Sequence, residues 1–427
     1  MSVHRLQDTA RGRRSACLTP RFSTLLASIS PNAHTRSVPW RRELARSTCA
    51  HAPSPPPDDG YAELRSLLQN WGSPATILLG MEATGCLWEP LYESLTQADY
   101  TVLVLNPRQT ASWATSLGLR AKTDGIDAHT LARGILAGYA RASSLPSEAV
   151  QELRALTRAR QDLVHSQTAA KQRLRDELVI LFPELPHHTP ANCDLFAPAL
   201  LRLLGRYSSA QALADASLEE VSGCLREVSD KRWGESEAKA LQELATGSTA
   251  STRAVRARGI VIQTMAQHLL DLQQRLADLE AAIAEALAGD DDGQRLQTLP
   301  GVGPIIAATM RAELGDVARF QHVDQVVAYA GPDPRTRQSG AFVGQKHLSK
   351  RGPGALRHVL YLATLDAVRN RSEWRDRYQR LLDRGRAKKG ALAILSRSLL
   401  RVAYHLLRSG TDYDSSFLQP SLSEGTA

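Results

Sequence analysis

Three observations predict an α/β unit joined to all-α domains. Two short apolar runs flank a helix-length segment early in the chain. Two long stretches carry leucines near heptad spacing. The last third then gathers cations around amphipathic helices. The runs Thr76–Leu79 and Tyr100–Leu105 read as buried strands, and residues 86–98, with Leu87, Leu91 and Leu95 on one face, as the crossover helix between them. In such β-α-β units the chemistry gathers at the carboxyl ends of the strands.

Before this unit, residues 1–58 are rich in Arg, Pro and Ser. Residues 1–56 hold nine Arg, no Lys and only Asp8 and Glu43 as acids. No strand or helix period is sustained there, so disorder is expected. The composition also looks like a transit peptide or a basic nucleic-acid-binding arm. The first strand runs into Gly80-Met81-Glu82, which places Glu82 at a strand end. Asp124 and Asp127 stand three apart at an expected helix start, so both carboxylates leave from one face. With Glu82 they form an oxygen-only set suited to Mg²⁺, and a pair of such ions activates a nucleophile and stabilises a leaving oxygen. The plainer alternative makes Thr123 or Asp124 an N-cap, Asp127 a dipole partner and Glu82 a solvated carboxylate.

From Ala149, Leu153, Leu156, Leu163, Leu174, Leu178 and Leu181 predict a long helix. Val261, Met265, Leu269, Leu272, Leu276, Leu279 and Ile283 predict a second. Together they are expected to form an antiparallel coiled coil over 149–290, with residues 185–250 as a helical tip. Arg154, Arg158, Arg160, Lys171, Arg173 and Arg175 make one side of the first helix basic, either a solvated face or a nucleic-acid groove. Residues 291–413 form the third expected domain. It opens with Leu296–Leu314, where Pro300-Gly301-Val302-Gly303 has the pattern of a helix-hairpin-helix. Its Gly301 and Gly303 would let backbone N–H groups approach a phosphate; the alternative is a tight corner between helices. The loop that follows places Ser339 among Arg335, Arg337, Lys346, Lys350 and Arg351. A Ser-Gly pair is ordinarily a turn, but a positive field both activates a hydroxyl and holds an attacked phosphate. Leu392, Leu395, Leu399, Val402 and Leu406 mark a closing amphipathic helix, and 414–427 read as a disordered tail.

The 427 residues carry a net charge of +8. Gly331–Ser409 alone holds 18 Lys/Arg against 5 Asp/Glu, so the rest of the chain is net acidic and the basic field is concentrated there. That predicts salt-sensitive binding to nucleic acid. Cys17, Cys49, Cys86, Cys193 and Cys224 lack zinc spacing and fit a reducing cytoplasm. No apolar run approaches the roughly 20 residues of a membrane span.

GMEATG, then VLNPRQ, then KTDGIDAHTLA, in this order, resemble the amino-terminal domain of the IS-one-ten (IS110) family of bacterial insertion-sequence transposases. YAG-DPRTRQSG followed by HLSKRGPGALRHVLYLA resembles the carboxyl-terminal transposase domain of that family. The resemblance runs from about Gly60 to Tyr413, with Pro332 where Leu is usual and Ser398 where Lys is common. It implies a RuvC-like (RNase H type) fold over 59–148 with four acids, Asp-Glu-Asp-Asp. Glu82, Asp124 and Asp127 match the second to fourth. It also implies Ser339 as the nucleophile, sites shared between subunits of a homo-oligomer, and a structured RNA that guides choice of donor and target DNA. The family's first strand, with its Asp in a context like GIDVAK, has no match before Asp58, and Asp58 and Asp59 precede the stretch matching the following helix. A misassigned start, a frameshift or a decayed copy each account for that gap, which should expose a sheet edge and remove most catalysis. The expected function is therefore DNA cleavage and strand transfer by a cytoplasmic, nucleoid-associated transposase. The alternatives are a catalytically defective DNA-binding relic and a coiled-coil scaffold.

Overall fold

The computed structural model describes residues 24–28, 59–83, 88–118, 130–135, 137–138, 145–335, 338–339, 342–343, 347–349 and 352–414. The chain forms two compact units that divide between Leu145 and Pro146.

In the first unit the strand order is β1 (Thr24–Ser28), β2 (Ile77–Glu82), β3 (Thr101–Leu105). The two predicted strands pair in parallel, with Glu82 opposite Leu105. Helix α1 (Asp59–Gln69) buries Leu64 and Leu68, and α2 (Trp88–Thr96) buries Leu91 and Leu95, in one core with Ile77, Leu79, Met81, Tyr100 and Val104. Leu87 of the predicted crossover lies outside the described residues. Helix α3 (Pro107–Ser116) starts with Pro at N1, and Asn106 caps it by accepting from the Arg108 N–H at 2.9 Å. Strand β1 differs from expectation. It lies within the segment read as disordered and pairs antiparallel with β2, Leu26 opposite Leu79, along the edge that β3 leaves open. Its sequence, TLLAS, has no periodic extension on either side to announce a strand, and sheet pairing supplies what local pattern lacks.

In the second unit, α4 (Glu148–Leu181) and α9 (Val255–Ala288) are 34 residues each, about 51 Å at 1.5 Å per residue. Their ion pairs run in opposite order, Arg258 to Glu177 at 2.7 Å and Arg160 to Glu280 at 2.6 Å, so the helices are antiparallel. Leu269, Leu272, Leu276 and Ile283 are buried as the heptad reading expects, and the seam departs from it by one position only at the start of α9. Ile262 and Ala266 are buried, while Val261 is exposed and Met265 only partly covered. Between the long helices lie α5 (Pro198–Arg206), α6 (Ala210–Asp215), α7 (Leu218–Val228) and α8 (Glu235–Thr246). They share a core with the Leu174–Leu181 end of α4 and the Ile262–Leu272 part of α9. Ser217 and Glu220 start α7 with reciprocal bonds to each other's backbone N–H, a capping box.

A second core surrounds the other end of the helix pair, taking in Leu153, Ile283 and Leu287. It is built from α10 (Asp291–Gln297), α11 (Pro304–Leu314), α12 (Val323–Ala330), α13 (Gly354–Asn370), α14 (Ser372–Asp383) and α15 (Lys388–Ser409). The predicted apolar side of α15, from Leu392 to Leu406, is buried throughout. Between α12 and α13 the described residues include two strand pairs: β4 (Pro334–Arg335) with β7 (His347–Leu348), and β5 (Gln338–Ser339) with β6 (Phe342–Val343).

Candidate catalytic and nucleic-acid-binding site

Glu82 ends β2, half-buried, with its carboxyl-terminal neighbour Ala83 donating to the Leu105 carbonyl at 3.1 Å. The strand ends therefore stay together at this edge. A helical stretch at 130–135 packs on them, because Leu131, Ala132 and Ile135 cluster with Leu105. Gly80 makes this approach feasible: a Cβ there would stand 2.3 Å from Ile135 Cδ1. The Trp113 indole N–H donates to the Thr130 carbonyl at 3.1 Å, which fixes where that stretch begins. Asp124 and Asp127 lie outside the described residues, yet Asp127 precedes Thr130 by three positions. Among the described residues no group of three or more His, Cys, Asp or Glu is placed to hold a metal. Strand β1, where it borders β2, carries no acid.

At the predicted hairpin, α10 and α11 are joined by Thr298–Gly303. Gly301 has φ +74°, and a Cβ on it would lie 2.1 Å from the Ala363 carbonyl oxygen and 2.9 Å from the Ala367 nitrogen of α13. Its missing side chain lets the turn press against a helix backbone, a packing role. Gly303 is different: exposed, in an extended conformation, with nothing within 4 Å of a Cβ position, and directly before Pro304 at the start of α11.

Ser339 sits in β5 opposite Phe342, so only Gly340 and Ala341 separate the paired residues. Arg335 lies in β4 opposite His347. Arg337, Lys346, Lys350 and Arg351 fall outside the described residues.

The basic side of α4 is largely engaged within the protein. Arg154 donates twice to the Ala312 carbonyl, at 2.7 and 3.0 Å, and Arg158 grips the buried Glu313 carboxylate with bonds of 3.0 and 3.2 Å. Burial pulls the Arg154 guanidinium below its ordinary value, against the opposing effect of Glu313. Arg160 pairs with Glu280, while Lys171 and Arg175 lie over the Phe196 ring at 5.2 and 5.4 Å from its centroid. Cations spaced along a helix do not reveal the carboxylates and carbonyls that fold against them. Sequence reasoning also missed Asp333, Ser349, Gly352 and Arg357, which hold the ends of the segment that carries Ser339. The one local signal for them was a glycine directly ahead of an apolar helix.

Two family models match the chain. A transposase model of the DEDD, IS110 type covers residues 44–183, and one for the transposase IS116/IS110/IS902 family covers 293–379, together more than half the chain. The chain is 28% identical over 300 residues to an insertion element IS110 protein of 43.6 kDa from Streptomyces coelicolor, which spans 69% of this chain and 73% of that protein. It is 27% identical over 263 residues to an insertion element IS116 protein from Streptomyces clavuligerus, covering 62% of this chain and 65% of the relative. It also aligns at 22% identity with a pilin gene-inverting protein of Moraxella bovis, over 83% of this chain and 88% of that protein. These matches show the family: the chain belongs to the IS110 family of insertion-sequence transposases.

Proposed function

We propose that this chain cuts and rejoins DNA through Ser339, with Glu82, Asp124 and Asp127 holding Mg²⁺. The observation that carries the reading is that Ser339, paired with Phe342 in a short strand pair, lies within the most cationic stretch of the chain. The Ser339 oxygen would attack a backbone phosphorus. As that bond forms, the bond from phosphorus to one sugar oxygen breaks; the serine proton is lost and the leaving oxygen gains one. A phosphoserine link keeps the phosphodiester's energy, and attack by a second sugar hydroxyl releases the serine. Arg335, Arg337, Lys346, Lys350 and Arg351 would hold the phosphate oxygens in place of water. Bound Mg²⁺ would supply charge stabilisation at the phosphate and leaving oxygen. The Gly301–Gly303 turn would add a sequence-blind backbone contact. Base choice would rest on a structured RNA paired to donor and target DNA. The antiparallel helices would act as a coiled coil joining subunits of a homo-oligomer that works on nucleoid DNA. The gene-inverting activity named for the Moraxella relative fits the same cut-and-rejoin chemistry.

One observation favours a second reading, a DNA-binding protein that does not cut. Strand β1 borders β2 without supplying the fourth carboxylate. The two readings separate in one experiment. The full chain is mixed with Mg²⁺, a transcript of the flanking DNA and labelled duplex carrying the flanking sequence, then run on a denaturing gel. A covalent protein–DNA band that Ser339→Ala abolishes, with binding retained, supports the first reading. Binding without any band supports the second.

A further inference from the structure

The segment that carries Ser339 is strapped together at its two ends, at Asp333 and Ser349. The backbone N–H of Ser349 donates to the Asp333 carbonyl at 2.9 Å, and the Ser349 hydroxyl donates to the Asp333 carboxylate. This pair sits one step before strand pairing begins at Pro334 and Leu348. Arg357, in the first turn of α13, donates to the Ala330 carbonyl at 3.3 Å and the Gly352 carbonyl at 2.5 Å, tying the entry of the segment to its exit. Gly352 lies so close to the entry that a Cβ would stand 1.8 Å from the Tyr329 oxygen. Beneath this, the Tyr329 hydroxyl donates to the Glu313 carbonyl at 3.0 Å, and its ring stacks on Arg319 and Phe320.

We propose that Asp333 and Ser349 form the neck of this segment and act as positioning residues that aim Ser339 at the attacked phosphorus. The proposal rests on the reading of Ser339 as nucleophile. Ser339 follows Asp333 by six positions, a reach of at most about 20 Å. A tilt of about 10° at the neck would therefore move the tip by at most about 3.5 Å, comparable to the whole distance between reacting atoms in a productive complex. Asp333 and Ser349 are only half-buried and belong to neither apolar core. Their mutual bond adds little to the packing of the domain and much to the direction of the segment.

The test measures single-turnover formation of the covalent adduct by the full chain, with labelled duplex, transcript and Mg²⁺ as above. Asp333→Ala and Ser349→Ala should each slow the adduct by about 10²-fold, the scale of a misplaced reacting group, with DNA affinity within about twofold. The double variant should be no slower than either single one, because both remove one interaction. Asp333→Asn, which keeps an acceptor oxygen, and Ser349→Thr, which keeps the hydroxyl, should recover most of the rate. Alanine variants at the native rate overturn the proposal, as does a loss that follows affinity and resists conservative rescue. If Ser339→Ala leaves the adduct intact, the nucleophile reading fails instead. A second measurement needs no catalysis: trypsin cleavage after Arg335, Arg337 or Lys346 should rise in the alanine variants relative to other sites. Unchanged cleavage there overturns the neck even in a chain that makes no adduct.

Discussion

Gly301 and Gly303 share one turn, and the chain pattern treats them alike, yet their surroundings differ. A methyl group at Gly301 meets the backbone of α13, which cannot step aside, and the positive φ adds strain. We expect Gly301→Ala to cost about 2–4 kcal/mol in chemical denaturation. Gly303→Ala, with open space around it, should stay within about 0.5 kcal/mol. Equal losses at the two positions would contradict the packing role. The same contrast shows what the residues alone disclosed. Glu82 could be placed at a strand end because apolar runs mark strands and their ends. The bond between Asp333 and Ser349 could not, since sixteen positions separate them and neither lies in a periodic stretch.

At the level of elements, both strands of the β-α-β unit, its helix, the two long helices and the closing amphipathic helix were legible, each from a period in apolar residues. The phase at the start of α9 was not, although Leu269, Leu272, Leu276 and Ile283 are buried as expected. Ile260, Val261 and Ile262 are consecutive, so a heptad can be drawn through any of them. The choice is made by α5, whose Leu200, Leu201, Leu203 and Leu204 share the core with Ile262 and Ala266 and leave Ile260 and Val261 in solvent. Strand β1 was missed for the same kind of reason, its partner being some fifty residues away. The cap of α7 leads to a pH prediction. The Ser217 backbone N–H, and then its hydroxyl, hold the Glu220 carboxyl below its ordinary 4.5. A depressed carboxyl contributes stability that is present above its unfolded value and is lost as pH falls through its folded value. Thermal unfolding of the full chain should therefore weaken more steeply below about pH 4.5 in the native protein than in Glu220→Gln. Parallel profiles would show that the cap contributes nothing measurable.

Across the whole molecule, the cations divide into two populations. Those on α4 are mostly spent on protein groups: Ala312, Glu313, Glu280 and Phe196. Those at the corner between α14 and α15, Arg384, Arg386, Lys388 and Lys389, are all exposed, and no acid follows until Asp412. Neutralising the four corner residues should lower the slope of log K against log salt for duplex DNA by about 3–4, since each phosphate contact contributes about 0.9. Changing Lys171 and Arg175 should leave that slope nearly unchanged and reduce stability instead. Titrations at several salt concentrations distinguish the two outcomes. The antiparallel helices carry a further consequence. Each is about as long as 15 base pairs of duplex at 3.4 Å per step, and the apolar clusters at their two ends anchor separate helical layers. The pair is thus a ruler. A single straight duplex lying along it would meet the distal layer about one and a half turns away from the serine, on a different face of the double helix.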